Sequence, residues 1–93
     1  MALDKSKIRR NLKRKGFRER QSDHLYLNYE TSDGKLSDIS TKISHGSAKD
    51  IGDSLVSEMA RQCRIKKTEF VDLINCSLSR KQYEKILEKL GEI

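Results

Sequence analysis

Proline is absent from these 93 residues, glycine occurs five times, and no apolar run is longer than three residues. The first two counts exclude a proline-rich linker, a collagen repeat and a low-complexity tail. The third leaves no stretch for a transmembrane helix or for the apolar segment of a signal peptide. Cysteine is scarce as well: Cys63 and Cys76 form neither a CxxC pair nor a disulfide framework, and the expected setting is a reducing cytoplasm. Cys63, Cys76, His24 and His45 lack the paired, local spacing that structural zinc sites use, so the thiols read as packed side chains. No metal or small-molecule cofactor is expected, and no membrane partner.

Charge is what the chain has in abundance. Charged residues make up 37% and hydrophobic residues 34%, a lean core under a heavily charged surface, in a length that suits one small domain. Such a chain has no room for a deep cleft between domains, so a large substrate must be met on an exposed face. The charge is also uneven. Within residues 1–21, nine Lys and Arg oppose Asp4 and Glu19, a local charge of +7, while the remainder carries −1. A segment that basic attracts polyanions through phosphate contacts that weaken as salt rises.

The pattern of apolar positions predicts an α+β fold. Ile8 and Leu12 lie four apart in a helix over residues 4–15, capped by Asp4 or Ser6 and ended by Gly16. Residues 17–21 read as a weak edge strand. Residues 24–30 alternate, with Leu25, Leu27 and Tyr29 on one face and His24, Tyr26 and Asn28 on the other. Asp33 and Gly34 mark a hairpin, and 35–44 alternate again, placing Ile39, Thr41 and Ile43 opposite Ser40, Lys42 and Ser44. A second helix is expected from Ser47, capped with Asp50, along the stripe Ile51, Leu55, Met59 and Cys63 widened by Val56 and Ala60. A third spans 68–74 on Phe70, Val71 and Ile74; a fourth runs from Ser79, with Gln82 three residues on, through Tyr83, Ile86, Leu87 and Leu90 to Gly91. The expected architecture is α-β-β-β-α with a three-stranded antiparallel sheet, helices on one face and the other face wet, plus one or two extra C-terminal helices. Residues 1–74 would form the main domain and 75–93 a helical extension of it.

A Gly-rich phosphate loop, Gly-x-Ser-x-Gly and His-Glu-x-x-His are all missing, which removes nucleotide hydrolysis and the common hydrolases. Asp33, Asp38, Asp50 and Asp53 are spaced as turn, surface and helix-start residues and do not form a two-metal nuclease cluster. His24 stands out, on the polar face of the central strand with Tyr26 beside it at the period-2 position.

At these residues the chain resembles the HicA toxin family. Lys15, Gly16 and Phe17, then Gln21, Ser22, Asp23, His24, Leu25 and Tyr26, are similar to the family's Lys-x-Gly-Phe, short strand, Gly-Ser-His and aromatic strand. Arg61, Gln62, Cys63, Arg64 and Ile65, followed by Glu69, Phe70 and Leu73, resemble its closing segment. The likeness covers roughly residues 8–74, with Ser22 and Asp23 where the family prefers Gly-Ser, a shorter turn, and residues 75–93 beyond the usual length. It implies a fold like the double-stranded RNA-binding domain and a ribonuclease that cuts mRNA without a metal ion and is silenced by a HicB-type antitoxin protein. The family's functional histidine corresponds to His24; His45 lies near a second, non-catalytic one.

RNA carries its own nucleophile, the 2′-OH, so its cleavage requires proton removal, in-line geometry and charge stabilisation. Histidine titrates near neutral pH and suits the proton step. His24 is therefore the candidate catalytic residue. Lys7, Arg10, Arg14 and Arg18 are the candidate phosphate contacts, with Lys42 on the strand and Lys49 near a helix N-terminus after Gly46. Tyr26 would stack a base or orient the histidine. Two alternatives stand beside this toxin-like endoribonuclease: a non-catalytic RNA-binding (secondarily DNA-binding) module of the same fold, and a protein-interaction adaptor using the C-terminal helices.

Overall fold

Asp4 begins the first helix by accepting the Lys7 backbone N–H at 2.9 Å, the capping role of a short acidic side chain. In the computed structural model, which describes residues 2–44, 46 and 49–93, this helix is α1 (Lys5–Arg14). Ile8 and Leu12 are fully buried, and Asn11 between them donates to the Ile74 carbonyl at 2.7 Å. Gly16 follows with φ +99°, and a Cβ there would come within 2.6 Å of the Arg80 guanidinium. The left-handed backbone is what calls for glycine here, and a side chain would also displace the Arg80 guanidinium.

Three antiparallel strands come next, in the spatial order of the chain: β2 (Phe17–Gln21), β3 (Leu25–Glu30) and β4 (Leu36–Ile43). Gly34, at φ +87°, closes the β3–β4 hairpin and donates to the Thr31 carbonyl. Leu25, Leu27 and Tyr29 of β3 and Ile39, Thr41 and Ile43 of β4 are buried beneath the helices, as period-2 alternation requires of a sheet with one covered face. The α-β-β-β-α core with added C-terminal helices is the architecture expected from the sequence.

The second helix departs from its expected course. The segment after β4 forms a short strand, β5 (Asp50–Ile51), paired with β1 (Leu3–Asp4) through Leu3 and Ile51. Helix α2 (Asp53–Gln62) starts only after Gly52, with no side-chain cap. Asp50 is thus a strand residue, while Ser47 and His45 lie outside the described residues. The buried stripe is Val56, Met59, Ala60 and Cys63, and Leu55 is 56% exposed. A series at strict four-residue spacing drifts by about 40° per step around a 3.6-residue helix, so it cannot hold one face.

Helix α3 (Lys67–Ile74) buries Phe70, Leu73 and Ile74, with Val71 only partly covered. Helix α4 (Arg80–Lys89) opens on the expected capping box of Ser79 and Gln82. Tyr83 and Leu87 of α4 are fully buried in the same core as the sheet. The Tyr83 ring stacks 5.8 Å from Phe17 and meets Tyr29 edge-on at 5.1 Å, and its hydroxyl donates to the Cys63 carbonyl at 2.8 Å.

Polar contacts tie α4 to the hairpin. Glu84 accepts hydrogen bonds from the Tyr29 hydroxyl at 2.6 Å and from the Ser32 hydroxyl and N–H. Those bonds from Ser32 and Tyr29 hold the Glu84 carboxyl below its ordinary range. Burial, and then the bond to Glu84, push the Tyr29 phenol up to about 12. A carboxyl lowered by folding adds stability above its unfolded pKa, and this is lost as pH falls through the folded one. A phenol raised by folding adds stability below its unfolded pKa, lost as pH rises through the folded one. The denaturation midpoint is therefore expected to plateau between about pH 5 and 10 and to fall on either side. Glu84→Gln should shallow the acid limb; an unchanged acid limb in urea titrations of that variant would contradict this role.

The two cysteines differ sharply. Cys63 is fully buried and its thiol is pushed up to about 12 by burial, whereas Cys76 is exposed after α3. A thiolate-specific reagent should modify Cys76 within minutes in the native protein and Cys63 only after denaturation. Two equally fast thiols would show that the core around Tyr83 is open.

Candidate nucleic-acid interface

Strand alternation turns every second side chain of the sheet away from the helices, and the register sets those side chains in rows. Arg20 lies opposite Tyr26, and Tyr26 opposite Lys42, so the three form one row across all three strands. The Arg20 guanidinium carbon sits 4.9 Å from the centre of the Tyr26 ring, a cation–π contact on a solvent-facing aromatic. In the next row Arg18, Asn28 and Ser40 face one another.

His24 stands beside the middle of the first row, two residues before Tyr26 in the turn that leads into β3. The turn is closed by the Ser22 N–H donating to the His24 carbonyl at 3.0 Å. One oxygen of Asp23 accepts both the His24 backbone N–H at 3.1 Å and the Tyr26 hydroxyl at 3.2 Å. The His24 and Tyr26 rings are 6.2 Å apart and nearly perpendicular. Partial desolvation raises the Asp23 pKa, but the Tyr26 hydrogen bond, the His24 charge and the backbone N–H outweigh it, and the net direction is down. Desolvation and Asp23 raise the Tyr26 phenol. At neutral pH, Asp23 is therefore a carboxylate and Tyr26 a neutral donor that it orients.

Seven of the eight residues singled out in the sequence divide between two layers, and Lys49 belongs to neither. His24, Arg18, Tyr26 and Lys42 share the open face of the sheet, whereas Lys7, Arg10 and Arg14 belong to α1 on the opposite, helix-covered side. Arg18 is half spoken for, 2.6 Å from the Glu30 carboxylate. Lys7 donates to the Asn75 side-chain oxygen at 2.8 Å, while Arg10 and Arg14 are exposed. Lys49 is exposed, but the expected helix N-terminus is not there: the chain at that point enters β5, with the Lys49 carbonyl accepting the Lys5 N–H at 2.7 Å and α2 starting at Asp53. Asn28 is spent on structure, its amide donating to the carbonyls of Ser37 and Ile39 beside the irregularity in the β3–β4 pairing.

Arg20 was not among the sequence candidates. Its signal was available, since it sits two residues from Arg18 on the same strand face, but only the cross-strand register reveals its place over Tyr26. Among the described residues, no three His, Cys, Asp or Glu side chains come together as metal ligands would, and no helix is long and apolar enough to cross a membrane. No protein-family model, curated protein or solved structure matches the chain.

Proposed function

We propose that the chain is an endoribonuclease of the toxin type, one that binds RNA on the open face of the sheet and cleaves it at His24 without needing a metal ion. What supports the reading is a single juxtaposition: a histidine beside Tyr26, the middle member of the cationic and aromatic row formed by Arg20, Tyr26 and Lys42. A base stacks on Tyr26, whose ring is held by Asp23 and Arg20. Lys42 and Arg20 offset charge on the phosphate. His24 takes the proton from the 2′-OH as its oxygen bonds to phosphorus; the bond to the 5′-oxygen breaks, and that oxygen is protonated by solvent or by the imidazolium so formed. The products are a 2′,3′-cyclic phosphate and a 5′-hydroxyl. A HicB-type antitoxin, the partner implied by the family resemblance, would silence the enzyme by covering this face.

A second reading, an RNA-binding module that cuts nothing, draws on Asp23. Its carboxylate, charged at neutral pH, stands beside His24 and repels an incoming phosphate.

Both readings require RNA on the sheet. Fluorescence anisotropy with a labelled unstructured RNA is expected to show an affinity that falls steeply with salt. Tyr26→Ala should weaken it by about 1–3 kcal/mol, the range for loss of one base–aromatic stack. Affinity indifferent to both salt and Tyr26 would remove the sheet face as the binding surface.

A further inference from the structure

Beside His24, where α2 lies along the end of β4, the surface folds into a cleft of about 140 Å³. Its exposed lining is mainly apolar, from Ile43, Ile51, Leu55 and Met59; His24, Lys42, Ser44, Gln62 and Glu58, whose carboxylate pairs with Arg61, complete it. Leu55 is more than half exposed, on a helix whose other large apolar side chains are buried. It therefore adds little to the core and forms a wall with an open side. Gln62, also on the cleft, has its side-chain oxygen fixed by the Thr41 hydroxyl at 2.7 Å, which leaves its amide N–H groups as oriented donors.

We propose that this cleft is the subsite for one unstacked nucleobase of single-stranded RNA, and that it makes the protein select unpaired over paired nucleotides. The inference rests on the RNA-binding reading above and deepens it. Three observations select the occupant. The cleft has the size of a single planar heterocycle, so a base pair is excluded. Its apolar walls suit a ring face, and Gln62 offers a donor to a ring edge, the combination that binds bases taken out of a stack. Lys42 and His24 both line the cleft, and Tyr26 neighbours both, Lys42 across the strands and His24 at 6.2 Å between rings, so a strand with one base in the cleft and its neighbour on Tyr26 carries the intervening phosphate past His24. A base held in a helix cannot reach both positions.

The test uses the full chain with a labelled unstructured RNA strand, the same strand annealed to its complement, and the strand with one abasic nucleotide. Wild-type protein is expected to bind the single strand about tenfold more tightly than the duplex, the scale of one seated base. Leu55→Ala should erase most of that preference and Leu55→Met should keep it. As Leu55 is exposed, both variants should retain the wild-type melting curve. The abasic strand should lose affinity for wild type and lose little more for Leu55→Ala. Equal affinity of wild type for strand and duplex, or an undiminished preference in Leu55→Ala, overturns the base subsite while the RNA-binding reading stands. Failure to bind either RNA form overturns both.

Discussion

With alanine in place of His24, RNA cleavage is expected to fall by about 10²–10⁴-fold, the usual contribution of a positioned acid–base group, while RNA affinity falls far less, because His24 is one of nine residues lining the cleft and most contacts with bases and phosphates come from the others and from Tyr26, Arg20 and Lys42. His24 is half-buried in a turn, outside the hydrophobic core, and the hydrogen bonds of that turn run through its backbone N–H and carbonyl. The substitution thus removes the imidazole and leaves the turn in place. Cleavage rates on an unstructured RNA, measured beside anisotropy on the same strand, separate the two effects. A variant that binds and cuts like wild type would deprive His24 of its role; one that loses binding and cutting together would make the imidazole a contact for RNA.

Truncation after residue 78 is expected to abolish cooperative folding. The cut removes Tyr83 and Leu87, both fully buried, and uncovers Phe17 and Tyr29, which pack against the Tyr83 ring. Losing a buried large aromatic costs about 3–5 kcal/mol and a buried leucine about 2–5, together comparable with the whole stability of a small domain. The Cys63 carbonyl and Glu84's anchors at Tyr29 and Ser32 lose their partners as well. A thermal melt followed by far-UV circular dichroism should show no sigmoidal transition. A cooperative melt close to that of the full chain would show that the core stands without α4. The same packing bears on the adaptor reading: deleting the C-terminal helices would remove part of the core along with any surface they present, so loss of a partner on truncation could not be credited to that surface.

Local chemistry made most of the fold legible. Asp4 and Gly16 bracket α1, Asp33 and Gly34 mark the hairpin, Ser79 and Gln82 open α4, and period-2 alternation sorts the two faces of β3 and β4. What escaped was set by contacts far apart in sequence. The pairing of Leu3 with Ile51 draws residues 50–51 into a strand, although in the sequence Ile51 heads the apolar series that continues through Leu55 and Met59 into α2. The role of α4 depends on a ring cluster joining Phe17, Tyr29 and Tyr83. The candidate site residues follow the same division: His24 and Tyr26 are visible as neighbours on one strand face, but Arg20 joins them only through the β2–β3 register. The cleft under Leu55 exists only because α2 lies along β4. The basic run of α1, the strongest compositional signal for a polyanion, ends up on the layer opposite His24, since Ile8 and Leu12 must face the core and their helix lies on the covered side of the sheet.

The central claim is that His24 drives attack by RNA's own 2′-OH, and it is tested most directly by the chemistry of the cut. Wild-type protein in EDTA would be given an RNA strand and the same strand with 2′-O-methyl groups throughout, and the product ends would be identified by mass spectrometry. The account predicts 2′,3′-cyclic phosphate and 5′-hydroxyl ends from the unmodified strand and no cleavage of the methylated one. Cleavage of the methylated strand, or 5′-phosphate ends from either, would contradict it.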